Sequence, residues 1–237
     1  ALFGDIHANL EALEAVMLDS SERNCTDFVC IGDIVCYNAN PSECLQMVRK
    51  LKCPAVRGNH DEEAASDAPL EGLNPLAKHA LTWTRDQLSE EEREWLRNMK
   101  LVRTVRDFTI VHATLDTPGN WGYVTNKFDA MASFSYQFTP VCFYGHTHTP
   151  KIYVKSDSVV ASDELSTDVE MGSKYFINIG SVGQPRDGDW RSSYATYDIE
   201  TKRIEIHRLE YDLLTAQKKI IDAGLPEMLA SRLAVGK

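Results

Sequence analysis

From Asn9 to Leu18, apolar side chains recur at Leu10, Leu13, Val16 and Met17, a helical spacing with Asn9 placed to cap it. Phe28 to Ile31 is a short apolar run ending at Gly32-Asp33, which predicts a strand that stops at a carboxylate. A second helix is predicted from Ser42 to Leu51, and Cys53 to Arg57 reads as a third strand leading into Gly58-Asn59-His60-Asp61. Strands and helices alternating at roughly 25-residue intervals form βαβ units and a largely parallel sheet, whose ligands gather at the carboxyl ends of the strands. Asn74 to Met99 predicts a helical layer with Trp83, Leu88, Trp95 and Leu96 in the core and a second helix starting at Ser89-Glu90-Glu91-Glu92.

The strand-then-polar pattern returns at Phe108 to Val111, which runs into His112, and at Val141 to Tyr144, which runs into Gly145. Between them, within 112–145, Asp116 to Gln137 is rich in Gly, Asn and aromatic residues and predicts a loop and short helix over a site. Ile152 to Val160 and Tyr175 to Ile179 read as strands, and the acidic, Ser/Thr-rich stretch 162–173 as a surface insertion. Tyr194 to Leu209 alternates around Glu200-Thr201-Lys202 and predicts a hairpin, and Leu213 to Ala223 a closing helix. No repeat or linker interrupts residues 1–237, so a single domain is expected. Ala1 stands so close to Asp5 that the first strand is expected to begin ahead of this numbering.

Composition narrows the classes. With 237 residues and 43% hydrophobic content the chain can close a full core. A formal charge of -10 argues against binding duplex nucleic acid or membranes, which needs a basic surface. Six cysteines without a CxxC pair read as buried free thiols. The absence of an 18-residue apolar run and of a signal peptide makes the cytoplasm the expected compartment.

Five of the seven histidines lie in short polar motifs that close the predicted strands: Asp5-Ile6-His7, Asn59-His60-Asp61, His112 and Gly145-His146-Thr147-His148, with Gly32-Asp33 between the first two. One Asp-x-His or Gly-Asp marks only a turn more often than a site, and His112 alone equally fits a buried, hydrogen-bonded histidine. Together they are a ligand set. Asp5, His7, Asp33, Asn59, His112, His146 and His148 are too many for one tetrahedral ion and suit two metals sharing a carboxylate. Such a pair, about 4 Å apart, can hold a bridging hydroxide and grip a phosphoryl group. His60 is left over as an acid, while His79 and His207 lack ligand neighbours and read as structural or surface residues.

The ordered series D-x-H, GD, GNH(D/E), H, GH-x-H resembles that of the calcineurin-like metallophosphoesterases. Asn178 to Asp189 is similar to the NPGSVGQPRDGD segment of small bacterial and archaeal phosphodiesterases related to diadenosine tetraphosphatase-like proteins. The resemblance implies an α/β fold in which two mixed sheets form a sandwich flanked by helices. It further implies two divalent metal ions (Mn, Fe, Zn or Ni). Asp5, His7, Asp33 and His148 would hold one, and Asp33, Asn59, His112 and His146 the other, with Asp33 bridging. His60 would protonate the leaving oxygen or steady the phosphoryl group, and Asp61 would orient it. Asn59, His60 and Arg186 would contact substrate, although Arg186 could instead pair with Asp187 or Asp189.

The implied activity is hydrolysis of phosphomonoesters or phosphodiesters by in-line attack of a hydroxide bridging the metals. A phosphorylated small molecule, nucleotides included, is the expected substrate. Phosphoprotein phosphatase and dinucleoside polyphosphate hydrolase are variants of the same chemistry; a catalytically silent protein-binding scaffold is the alternative from another class. The sequence departs from the family at Gly4, where Ser is common, at Cys36-Tyr37-Asn38, where Gly-Tyr-Gly is usual, and at Ile179, where Pro is usual.

Overall fold

A computed structural model describes residues 1–237. Two very short strands, β1 (Leu2–Phe3) and β2 (Val29–Cys30), are joined by helix α1 (Leu10–Glu22). The Asn9 side-chain oxygen caps α1 by accepting from the Ala12 N–H at 3.2 Å. Helices α2 (Pro41–Leu51), α3 (Asn59–Ala65), α4 (Pro75–Gln87) and α5 (Glu90–Arg97) follow, the last opened by a Ser89/Glu92 capping box. Next come β3 (Val102–Val105), β4 (Phe108–Val111), α6 (Lys127–Tyr136) and β5 (Val141–Tyr144). The remaining strands are β6 (Lys151–Lys155), β7 (Val159–Ser162), β8 (Ser166–Asp168), β9 (Lys174–Asn178), β10 (Ser192–Asp198) and β11 (Arg203–Leu209). Helices α7 (Leu213–Asp222) and α8 (Glu227–Leu233) come last.

The strands form two mixed sheets, ordered β2-β1-β10-β11-β8 and β3-β4-β5-β9-β6-β7. β1 and β2 are parallel, as are β4, β5 and β9. Side-chain alternation then sorts each strand between two faces. In β5, Val141 and Phe143 enter a buried cluster with Leu2, Val29, Ala195 and Ile206 of the other sheet, so the sheets pack face to face. Cys142 and Tyr144 point the other way, into a cluster with Phe134 of α6. The outer face of the first sheet, including Phe3 and Tyr194, is covered by the remaining helices in the largest cluster. The result is four layers: helices, sheet, sheet, helix.

Several elements differ from expectation. Cys53 to Arg57 is no strand; it makes only isolated bridges, Cys30 to Ala55 and Val56 to Lys100, because Pro54 offers no N–H to a ladder. Ile152 to Val160 is split into β6 and β7, a hairpin turning at residues 156–158. The stretch 162–173, expected to be an insertion, contains β8, which pairs with β11 and edges the first sheet. The chain does not close on α7, since α8 packs beside it. Leu88 and Leu96 are core residues, while Trp83 and Trp95 are only half-buried against it. All six cysteines are free. No helix is long and apolar enough to cross a membrane.

Candidate metal centre

Four of the five ligand motifs meet because each follows a strand whose carboxyl end reaches the same rim of the sandwich, and Asn59 opens α3 directly after Gly58. Asp5 and His7 follow β1, Asp33 follows β2, His112 follows β4, and His146 and His148 follow β5. Each turn leaves its strand abruptly: Asp5, His7, Asp33, His146 and His148 all have φ between 47° and 66°. Non-glycine residues there carry about 1–3 kcal/mol of strain each, and such strain gathers at functional sites. The motif glycines permit close approach. A Cβ on Gly58 would lie 2.1 Å from Asp33 Oδ1, and one on Gly145 2.1 Å from Asp5 Oδ2.

Two groups of ligand atoms result, each compact enough for one ion: Asp5, His7, Asp33 and His148, and Asp33, His112 and His146. Asp33 belongs to both. His7 Nε2 lies 3.0 Å from His148 Nε2 and 3.6 Å from Asp33 Oδ2, and His112 Nε2 lies 3.3 Å from Asp33 Oδ2. Every one of these side chains is buried.

Their tautomers are set from outside. Nδ1 of His7, His112 and His148 faces the carbonyls of Val35 (3.3 Å), Ile31 (2.8 Å) and Gln184 (2.6 Å). A carbonyl can only accept, so each Nδ1 carries a proton and each Nε2 faces inward, with a lone pair in His7 and His148, and in His112 once it sheds its second proton. His146 is reversed: its Nε2 donates to the Trp121 carbonyl at 2.9 Å, which leaves Nδ1 facing inward.

Orphaned atoms complete the fit to metal. Asp33 Oδ2, Asn59 Oδ1 and His112 Nε2 are buried without a hydrogen-bond partner, an expensive arrangement unless a cation sits among them. His60 Nδ1 is orphaned too, with its ring held against Tyr37 and His7 at centroid distances of 4.6 and 5.2 Å.

Charge follows from burial and proximity. Burial pulls His7, His146 and His148 below the usual histidine range, His146 to about 4, so they are neutral and fit to ligate. His112 differs: burial lowers its pKa, but the Asp33 carboxylate beside it outweighs that and lifts it to about 10. Asp33 is correspondingly held well below the carboxylate range, since His112 and His60 overcome the burial that would raise it.

Other predicted residues land differently. Asp61 makes no hydrogen bond to the His60 ring. Its carboxylate accepts from the backbone N–H groups of Ile34 (2.8 Å), Val35 (3.4 Å) and Gly58 (3.1 Å), which braces the Asp33 loop against the Asn59 turn. Asp187 and Asp189 are taken by Arg208 and Arg191, so neither pairs with Arg186. Arg186 instead donates to Gln184 Oε1 at 2.8 Å, and its guanidinium carbon stands 5.9 Å from the Tyr37 ring centroid. Cys36 and Tyr37 occupy left-handed conformations, with φ of 80° and 69°, at positions where the family usually has Gly-Tyr; Asn38 closes the turn by donating to the His7 carbonyl at 2.7 Å. His207 bonds Thr196 Oγ1 at 2.8 Å and His79 is exposed, both away from the site.

Some contributors carry no ligand signature. Ser181 Oγ donates to the Asp5 carbonyl at 2.8 Å and Asn178 Nδ2 to the Gly145 carbonyl at 2.6 Å, so the 178–186 segment clamps two ligand loops. From the 112–145 stretch, residues 121–123 lie against the site: the Trp121 carbonyl accepts from His146 and the Tyr123 ring lies tilted over it at a centroid distance of 4.3 Å, while α6 packs on the second sheet. A cleft of about 780 Å³, lined by Ala1, Asp27, Arg106 and Tyr197 among others, opens at the amino ends of the strands, away from every ligand. The ligand chemistry converges at the other rim.

Comparison with known proteins gives a consistent result. The family model for the calcineurin-like phosphoesterase superfamily domain matches residues 1–202. The uncharacterized protein MJ0912 of Methanocaldococcus jannaschii is 35% identical over 241 residues, covering 100% of this chain and 98% of the relative. The crystal structure of a metallophosphoesterase from Sphaerobacter thermophilus superposes with a TM-score of 0.89 at 38% identity, covering 100% of this chain and 98% of that one. Hypothetical protein PH1004 from Pyrococcus horikoshii OT3 shares the fold, with a TM-score of 0.83 at 19% identity over 100% and 98% of the two chains.

Proposed function

The chain belongs to the calcineurin-like phosphoesterase superfamily, and on that premise we propose that it hydrolyses phosphoric esters of small molecules with the help of two divalent metal ions. The observation that carries this reading is the pair of buried ligand groups sharing Asp33. Asp5, His7, Asp33 and His148 would hold one ion, and Asp33, Asn59, His112 and His146 the other. Ions bound there supply Lewis acidity, which makes water nucleophilic near neutral pH and neutralises phosphoryl charge.

The protein's own groups do the rest. The outward carbonyl partners fix each imidazole, so the ligand cage needs little rearrangement before it can act. His60, buried beside His7 with its Nδ1 unpartnered, is the group this reading assigns to the leaving oxygen. A protein-binding scaffold has no use for orphaned donors and strained turns of this kind, and the complete ligand set supports catalysis.

The test is metal dependence. Chain stripped by chelation is expected to lose hydrolysis of aryl phosphate esters, and Mn, Fe, Zn or Ni to restore it at about two equivalents. Failure of all four metals to restore turnover overturns the reading.

Protons supply a second expectation. In metal-free chain His112 is protonated at pH 7.5, because its pKa stands near 10. A ligand must shed its proton, so loading at pH 7.5 is expected to release about one proton from this residue. The affinity at that position should rise about tenfold per pH unit until pH approaches 10. Titration calorimetry in buffers of different ionisation heat measures the release. The same raised pKa means that His112 stabilises the metal-free fold fully below pH 6.5, and that this stability is lost as pH rises through about 10.

A further inference from the structure

The segment Trp121-Gly122-Tyr123 sets an aromatic ring against each histidine of the second ligand group. The Trp121 ring meets His112 edge-on at a centroid distance of 6.0 Å, and the Tyr123 ring lies tilted by 34° over His146 at 4.3 Å. His112 and His146 are themselves 5.1 Å apart, so ring contacts run without a break from Trp121 to Tyr123. The backbone is bent to hold them there. Trp121 has a φ of 53°, unusual for a bulky side chain, and its carbonyl accepts from His146 Nε2 at 2.9 Å. Gly122 runs so close to Thr114 that a Cβ on it would lie 3.2 Å from Thr114 Cγ2, and Val124, the next residue after the segment, is buried in the cluster that contains Phe134.

Packing alone does not account for Tyr123. Four tyrosine and phenylalanine rings are largely exposed, Tyr123, Phe128, Tyr136 and Phe138. Of these only Tyr123 packs on another ring, and that ring belongs to a candidate metal ligand. At 58% exposure it spends one side on His146 and turns the rest to water, so it neither closes a core nor seals the ligand off. A ring fixed from one side with its other face free is what offset stacking with a second planar ring needs. One imidazole separates it from the ion that His146 would bind, which puts it within reach of a group carried by a phosphoryl at that ion.

We propose that Tyr123, positioned by the Trp121 turn, stacks a planar aryl or heteroaryl group of the substrate while the phosphoryl group lies at the metals. The inference rests on the phosphoesterase reading and narrows it to esters in which an aromatic ring stands close to phosphorus. Such esters bind more tightly than alicyclic ones of equal size, because a saturated ring offers no flat face to the tyrosine. Tyr123 is a specificity residue in this account and touches no reacting atom.

Non-hydrolysable probes separate the platform from catalysis. Metal-loaded chain is titrated with phenylphosphonate and with cyclohexylphosphonate, which match in size and differ in planarity, and the ratio of dissociation constants is compared among the parent, Y123F, Y123L and Y123M. The parent should favour the phenyl probe about fivefold or more, Y123F should keep more than half of that preference, and Y123L and Y123M should lower it at least about threefold. Thermal melts and metal analysis check each variant, and Y123M answers the question if Y123L fails to fold or load. A weaker parent preference, a smaller fall in the two non-aromatic variants, or an equal fall in Y123F overturns the platform. Metal loss in Y123L with the preference intact on reloading makes the ring a brace for His146 and overturns it as well. Hydrolysis of phenyl phosphate by the same parent sample reports separately on the phosphoesterase reading: turnover without the phenyl preference sinks the platform alone, and preference without turnover sinks the activity alone.

Discussion

Asp33→Asn should reduce kcat/KM for any phosphate ester by at least about 10³-fold, a loss of roughly 4 kcal/mol of transition-state stabilisation. It should also lower bound metal from about two ions per chain to below one. Asp33 is the one side chain common to both ligand groups, so its charge is counted twice in the centre. The change is otherwise mild in shape. Asn retains an oxygen that can accept the His60 N–H, now bonded to Asp33 Oδ1 at 2.9 Å, so the turn before α3 keeps its anchor. What is lost is the negative charge facing His112, whose pKa should then fall from about 10 toward the lowered values of His7 and His148. A neutral His112 leaves no unpaired buried cation, and the metal-free variant should therefore fold. Elemental analysis, circular dichroism and steady-state kinetics on one preparation decide the matter. A folded variant that keeps two ions and turns over within tenfold of the parent would remove Asp33 from its bridging role.

The sequence exposed this centre readily because metal ligands must be specific residue types and because all but Asn59 stand just after an apolar strand. Asp5, Asp33, His112 and His146 could all be placed on one rim from strand direction alone. The fold was less legible where long-range pairing decides. β8 is the polar run Ser166-Thr167-Asp168, which has no hydrophobic alternation to announce it and becomes a strand because β11 offers an unpaired edge. Cys53 to Arg57 shows the reverse, a run with apolar content that Pro54 keeps out of a ladder.

Supporting residues were hidden for another reason. Asp61 sits inside the Gly-Asn-His-Asp motif, yet it spends its carboxylate on backbone N–H groups of a loop 26 and 27 residues earlier in the chain. That role has no local signature, because it is defined only by what the folded chain brings beside Asp61.

His60→Gln should separate chemistry from metal binding. His60 belongs to neither ligand group and meets them only by its ring packing on His7, so metal content is expected to stay within about 20% of the parent, a margin that allows for the altered packing on His7 and Tyr37. Turnover should fall by about 10²–10⁴-fold on an alkyl phosphate, the usual worth of a positioned acid, and by less than about tenfold on a nitrophenyl phosphate, whose leaving oxygen needs no proton. The pH profile carries the same sign. Burial, and behind it the Arg186 charge, lower the His60 pKa even though Asp33 opposes them, so the protonated fraction falls as pH rises through the region below the usual histidine range. The parent's hydrolysis of alkyl esters should therefore decline with rising pH, relative to nitrophenyl esters, and that relative decline should vanish in the variant. Equal losses on both substrates would assign His60 to steadying the phosphoryl group through its N–H, since a neutral imidazole can still donate a hydrogen bond where it cannot give up a proton cheaply.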